Sequence, residues 1–305
     1  ELRDLLIFAA AALIVLPVLP DKPVGPYAAL NLRTVWTVVI LVVVLFAAGS
    51  LFMYKVKNGW PVSYETEKPA LNIPSGTHAI LLFSKSTGFR HAGSIAAGKE
   101  AIKAMAVKNG WSLYETEAGG IFNSGQLAKF DVIVFNNSTG RVLNEAQQKA
   151  LQDRIEGGAR WVGIHGSGDF SHPWPWYVNS LIGAEFSHHS LKPNEQAAEV
   201  MLEPWKDDTA DTRQLLPSWT GKDEWYVFFA PPKDAEIIYT IDGTRINPDG
   251  NILFTKDKNF GMGAKHPVAW TKQVGKGWSF YTSMGHSDST WQRPGFLKLI
   301  EYMLR

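Results

Sequence analysis

Residues 160–170 read RWVGIHGSGDF: a short apolar run, then a turn of small residues with a histidine at its apex. A continuous apolar run of this length, bounded by glycine, is the pattern of a strand buried on both faces. The same pattern recurs upstream, at AILLF (79–83), WSLYE (111–115) and DVIVFNN (131–137). Between these runs lie stretches of helical spacing. One has Ile95, Ala101, Ile102, Met105 and Ala106 on a face within 95–108, and the other is NEAQQKALQDRIEGG (144–158). Asn144 with Gln147 three residues on predicts a capped start, and Gly157-Gly158 a stop. Strands alternating with helices predict an α/β fold, a mainly parallel sheet with helices on both faces. After about residue 200, EIIYT, NILFT, PVAW and WSFYT predict further strands, some antiparallel, before a last helix that Pro294 opens.

Composition narrows the function. The chain has 305 residues, with Lys+Arg 30 against Asp+Glu 29 and no cysteine. The balanced charge lacks the basic surplus of a phosphate-tracking protein, so nucleic acid is excluded as an expected partner. Without cysteine there is neither disulfide nor thiol nucleophile, and any metal site must use His, Asp or Glu.

Two runs carry no charge: LLIFAAAALIVLPVL (5–19) and VWTVVILVVVLFAAGSLFM (35–53). The second is close to the roughly 20 residues that cross a hydrocarbon core, and its apolar residues cover the whole helical circumference. One or two transmembrane helices are therefore expected, with spans at about 5–20 and 35–53 in a membrane segment 1–53 that contacts lipid. Residues 54–76 read as a tether, and 77–305 as the folded domain. A single amino-terminal anchor exports the domain attached to it, which places the soluble domain in the periplasm; two spans reverse that choice.

Ligands of open α/β sheets collect at the carboxyl ends of the strands, and there the chain concentrates its histidines. His91 follows the first strand in GFRH, His165 opens the turn after RWVGI, and His286 follows WSFYTSM. Imidazole is the common acid/base near neutral pH, so His165, His91 and His286, with Glu224, are the expected catalytic groups. Arg90, Ser167, Asp169, His189 and Tyr226 are expected substrate contacts. His188-His189 and Asp223-Glu224 also offer imidazoles and carboxylates to a divalent ion, but no diagnostic metal spacing such as HExxH exists, so no metal ligand is assigned and no cofactor is identified. Of the twelve tryptophans, Trp174, Trp176, Trp219, Trp225, Trp270 and Trp291 lie beside turns or site residues, where an indole face stacks on a sugar. Trp225 and Trp270 are the expected platforms.

Five ordered blocks, FSKSTGFRHAGSI, RWVGIHGSGDF, DEWYVF, HPVAW and GKGWSFYTSMGHS, together resemble the ThuA-like (trehalose utilisation) family over about residues 77–305. The resemblance implies the fold of class I glutamine amidotransferases, a flavodoxin-like arrangement. It also implies that His165 replaces the elbow cysteine of those enzymes, so that glutaminase activity is lost. It further implies a role in bacterial carbohydrate metabolism, on a disaccharide or a keto-sugar derivative. Three activities stay open: a sugar-processing enzyme, a non-catalytic sugar- or protein-binding module at the membrane surface, and a metal-dependent hydrolase.

Overall fold

Strand residues of alternating orientation make two cores in the carboxy-terminal unit. The computed structural model describes residues 32–58, 62–74, 78–204, 214–250 and 261–305. The chain divides into an amino-terminal unit to Val56 and a larger one from Lys57 to Arg305. The smaller unit contributes helix α1 (Leu32–Asn58). Within it, Thr34–Lys55 has a mean hydropathy of 2.6 over a stretch of 22 residues, long and apolar enough to cross a membrane. Val35, Val38, Leu41, Leu45, Phe46 and Phe52 are exposed around it. The helix runs past the expected span at both ends, and the other expected span, 5–20, lies outside the described residues.

The larger unit holds a mixed sheet. Strands β1 (Ala79–Phe83), β2 (Ser112–Thr116), β3 (Val132–Asn136), β4 (Arg160–Ile164) and β11 (Gly277–Thr282) pair in parallel in the order β2-β1-β3-β4-β11. From β11 onward the pairing is antiparallel, through β10 (His266–Val274), β9 (Glu236–Ile241), β6 (Gln196–Leu202) and β7 (Ser218–Asp223). A separate pair joins β5 (Phe186–His189) to β8 (Tyr226–Phe228). The expected strand NILFT falls outside the described residues.

Because successive side chains in a strand point to opposite faces, Ile80, Leu82, Val132 and Val134 pack on one side. They meet α2 (Ala92–Asn109) through Ile102 and Met105, and α5 (Pro294–Leu304) through Phe296, Leu299 and Ile300. On the other side Leu81, Phe83, Ile133 and Phe135 meet Leu151 and Ile155 of α4 (Glu145–Glu156), and Tyr177 and Leu181 of a π-helical turn at Tyr177–Ile182. Helices thus cover both faces of the parallel half. The start of α4 carries the expected capping box: Asn144 Oδ1 accepts the Gln147 amide at 3.0 Å and Gln147 Oε1 the Asn144 amide at 2.9 Å. A one-turn helix, α3 (Ser124–Leu127), lies between β2 and β3.

Residues 62–74 form neither helix nor strand and are laid on the domain, while residues 54–58 of the expected tether belong to α1. Glu65 Oε2 meets Lys85 Nζ at 2.6 Å and accepts the Gly119 amide at 2.9 Å. The Glu65 carbonyl accepts from Gln147 Nε2 at 2.7 Å, the Pro69 carbonyl accepts from Gln126 Nε2, and Leu71 and Ile73 pack on the second core. The segment is a strap, because side chains and amides of the domain bond its polar groups and the second core takes its apolar ones.

Candidate functional site

Four loops at the carboxyl ends of strands carry the site. Beyond β1 the chain leads to His91, which precedes α2. Beyond β4 it turns at once through His165–Gly168, and His165 has φ of 45°, the left-handed region that a non-glycine residue rarely occupies. Beyond β11 it leads to His286. The link from β7 to β8 crosses this end of the sheet, where Asp223 Oδ2 accepts the Gly285 amide at 2.8 Å, and it delivers Glu224.

The side chains converge. Glu224 Oε2 lies 3.3 Å from His165 Nε2 and 3.4 Å from His286 Nδ1, and those two nitrogens are 3.2 Å apart. His91 meets the rings of His165 and His286 edge-on, with centroids at 4.8 and 5.1 Å. Glu224 Oε1 faces His189 Nδ1 at 3.2 Å, and the Tyr226 hydroxyl lies 3.1 Å from His165 Nε2. His91, His165 and Glu224 are buried, and His286 is partly so. Gly166 makes the convergence possible. A Cβ there would sit 2.9 Å from Thr139 Cγ2 and 3.1 Å from His91 Nδ1.

Charge is set by these contacts. Burial alone would raise the Glu224 pKa, but hydrogen bonds from His165 and His286 outweigh it and hold the group as a carboxylate. Burial, together with the neighbouring His165 and His286, pushes His91 down to about 2, so its ring is neutral. Burial would lower His286 as well, yet Glu224 beside it raises the pKa above the ordinary imidazole value. Burial lifts the Tyr226 phenol well above its usual range, so it keeps its proton. His165 Nδ1 is 2.6 Å from the Ser283 carbonyl, a contact only an N–H can make, so this nitrogen is turned away from the cluster and Nε2 is the one that faces it.

Other expected site residues are engaged elsewhere. Ser167 is fully buried; its Oγ donates to the Phe135 carbonyl at 2.7 Å and accepts the Ser138 amide at 3.1 Å, so it ties two loops together instead of meeting substrate. Asp169 Oδ1 accepts the Ser171 amide at 2.8 Å, and burial raises its pKa. Arg90 commits its guanidinium to Glu117 at 2.8 and 3.0 Å. Trp225 and Trp270 are core residues whose Nε1 groups donate to the Gln196 and Ile182 carbonyls, so neither indole is a platform for a sugar. His188 turns away to the Pro248 carbonyl at 2.7 Å.

Exposed aromatic faces near the cluster belong to phenylalanines. Phe89, 52% exposed, sets its ring edge-on to His91 at 4.8 Å, and Phe170, 44% exposed, stacks on Phe186, which packs on Tyr226. The sequence offered one signal for the first, since Phe89 belongs to the same GFRH run as His91. Asp223 also emerges as a structural member of the site: it accepts the amides of Glu224, Gly285 and His286 and the Thr290 hydroxyl.

Among the described residues, His91, His165, Glu224 and His286 each offer one ligand atom for a metal ion, all within 4.8 Å of one another.

The chain is similar to several solved structures, and the first of them shares its fold. A ThuA-like protein from Bacteroides uniformis ATCC 8492 is 22% identical, with a TM-score of 0.60 over 77% of this chain and 93% of that one. A cytoplasmic protein from Salmonella typhimurium LT2 is 13% identical, with a TM-score of 0.47 over 74% and 95%. A β-galactosidase from Bacillus circulans sp. alkalophilus is 12% identical, with a TM-score of 0.45 over 74% of this chain and 31% of the enzyme. No curated protein matches the chain. The ThuA family profile, described as trehalose utilisation, matches residues 79–304, which spans both the parallel half of the sheet and every residue of the histidine cluster, and the chain belongs to that family.

Proposed function

We propose that the chain is a membrane-anchored carbohydrate-processing protein that takes a disaccharide or a keto-sugar derivative at the His91–His165–Glu224–His286 cluster. ThuA membership supports a trehalose-utilisation-related role in general. The convergence of three imidazoles and an ionised carboxylate, with the Tyr226 hydroxyl beside them, carries the finer reading. Sugars present hydroxyl and carbonyl oxygens, and chemistry on them requires groups that bind those oxygens and move protons near neutral pH. Glutaminase chemistry is not proposed: His165 stands at the turn where that mechanism needs a thiol, and the chain has no cysteine. The apolar helix α1 would hold the domain to lipid, with the soluble domain in the periplasm.

The test is turnover of trehalose, other disaccharides and their keto derivatives by the full chain in detergent, read by chromatography. His165→Ala should lower turnover by about 10²-fold or more while sugar binding is partly retained. A variant that loses affinity with no turnover to lose assigns the non-catalytic module instead. No binding and no turnover with any sugar would overturn both. For orientation, a phosphatase active only outside the cytoplasm, fused after Arg305, should be active.

A further inference from the structure

We propose that the cluster is a binding site for a divalent transition-metal ion, with His165 Nε2, His286 Nδ1, Glu224 Oε2 and a ring nitrogen of His91 as ligands. Binding of the ion stands on geometry alone, and only its role toward a sugar rests on the proposed carbohydrate function.

The spacing of the atoms is the first observation. Ligands about 2.0–2.1 Å from a tetrahedral ion are separated from one another by about 3.3–3.4 Å. The His165–His286, His165–Glu224 and His286–Glu224 separations are 3.2, 3.3 and 3.4 Å. Three atoms thus already occupy a tetrahedral face, with a ring nitrogen of His91 within 4.8 Å of the others.

Unmet bonding is the second. His91 is 7% exposed, and its Nδ1 is buried without a hydrogen-bond partner. A buried imidazole nitrogen with nothing to bond is costly unless an ion or water fills the gap. Orientation is the third. The Ser283 carbonyl fixes His165 Nδ1–H, the outer contact that typically sets the tautomer of a ligating histidine. His189 engages Glu224 Oε1 and leaves Oε2 to the cluster, while Asp223 secures the Glu224 and His286 amides. Three imidazoles with one carboxylate suit zinc, manganese or a neighbouring divalent ion better than magnesium or calcium, which prefer all-oxygen shells. With an ion bound by these four groups, a sugar oxygen would enter as a fifth ligand, and the Tyr226 hydroxyl would be free to donate to it.

The experiment is calorimetric titration of the chelator-stripped full chain in detergent with Zn²⁺, Mn²⁺ and Mg²⁺, no sugar present. One Zn²⁺ or Mn²⁺ per chain is expected, with Mg²⁺ much weaker. His165→Ala and His286→Ala should each weaken binding by more than the about 10–100-fold that loss of an outer contact causes. Should a variant fail to fold, Co²⁺ added to the unaltered chain is read instead, and intense visible bands of tetrahedral cobalt are expected. No binding to the unaltered chain, binding unchanged in both variants, or only the weak bands of octahedral cobalt would overturn the site. A chain that binds Zn²⁺ but processes no sugar refutes the proposed function and leaves the metal site standing. A chain that processes sugar but binds neither Zn²⁺ nor Mn²⁺ does the reverse.

Discussion

Asp223 Oδ1 accepts the backbone amide of His286 at 3.0 Å, so a carboxylate at the end of β7 fixes the loop that carries an imidazole from the end of β11. The same side chain accepts the Gly285 amide, the Glu224 amide and the Thr290 hydroxyl, and it is buried. Asp223→Asn keeps the size but substitutes an amide for one acceptor oxygen, setting an N–H against donors that point inward. Leaving buried donors unsatisfied costs about 1–3 kcal/mol. Its unfolding free energy, read from urea titration, should be lower by that amount. Its histidine cluster should also lose affinity for Zn²⁺ by about 10–100-fold, because Asp223 acts through the placement of Glu224 and His286.

Gly166→Ala tests how tightly the cluster is built. The added methyl would meet Thr139 Cγ2 at 2.9 Å, closer than carbon atoms tolerate, and the His91 ring at 3.1 Å, tight enough that the ring must shift. Overpacking of this kind costs about 1–3 kcal/mol, and relief comes most easily by moving His91 out of the cluster. The expected outcome is a folded protein, by circular dichroism, with weakened metal and sugar binding. Unchanged binding would show that His91 has room to spare.

Much of this arrangement was legible in the sequence because it depends on local rules. AILLF, and RWVGI after Arg160, are buried on both faces and therefore apolar, which points to the parallel half of the sheet, and strand ends then point to His91, His165 and His286. Asn144, Gln147 and Pro294 announce helix ends through short-range chemistry. What sequence reading missed depends on the third dimension. Trp225 stands beside Glu224 along the chain and Trp270 lies within β10, but tertiary packing buries both, with their Nε1 groups on the Gln196 and Ile182 carbonyls. Asp223 and the strap residue Glu65 take their meaning from partners 63 and 54 positions away, His286 and Gly119, and no spacing encodes such pairs.

Phe89→Ala bears on the sugar platform. If the exposed ring beside His91 stacks on a sugar, its loss should raise KM several-fold and leave kcat nearly unchanged, since stacking contributes equally to ground and transition states. A fall in kcat with KM constant would instead mean that the ring serves only to orient His91.

The strap should undock in acid. Burial by itself would raise the Glu65 pKa, but Lys85 and the Gly119 amide outweigh it and hold the carboxyl below its ordinary value. A depressed folded-state pKa means that the docked strap is favoured above the usual carboxylate range and loses this support as pH falls through the lowered value. Hydrogen exchange of residues 62–74 should therefore be slow at pH 7, after correction for intrinsic rates, and should quicken relative to the sheet as pH drops below about 4. Glu65→Gln retains a side-chain acceptor for Gly119 but not the charge opposite Lys85, so its strap should be looser at pH 7 and insensitive to acid. A strap equally protected at both pH values in the unaltered chain would mean that Leu71 and Ile73 hold it without the ion pair.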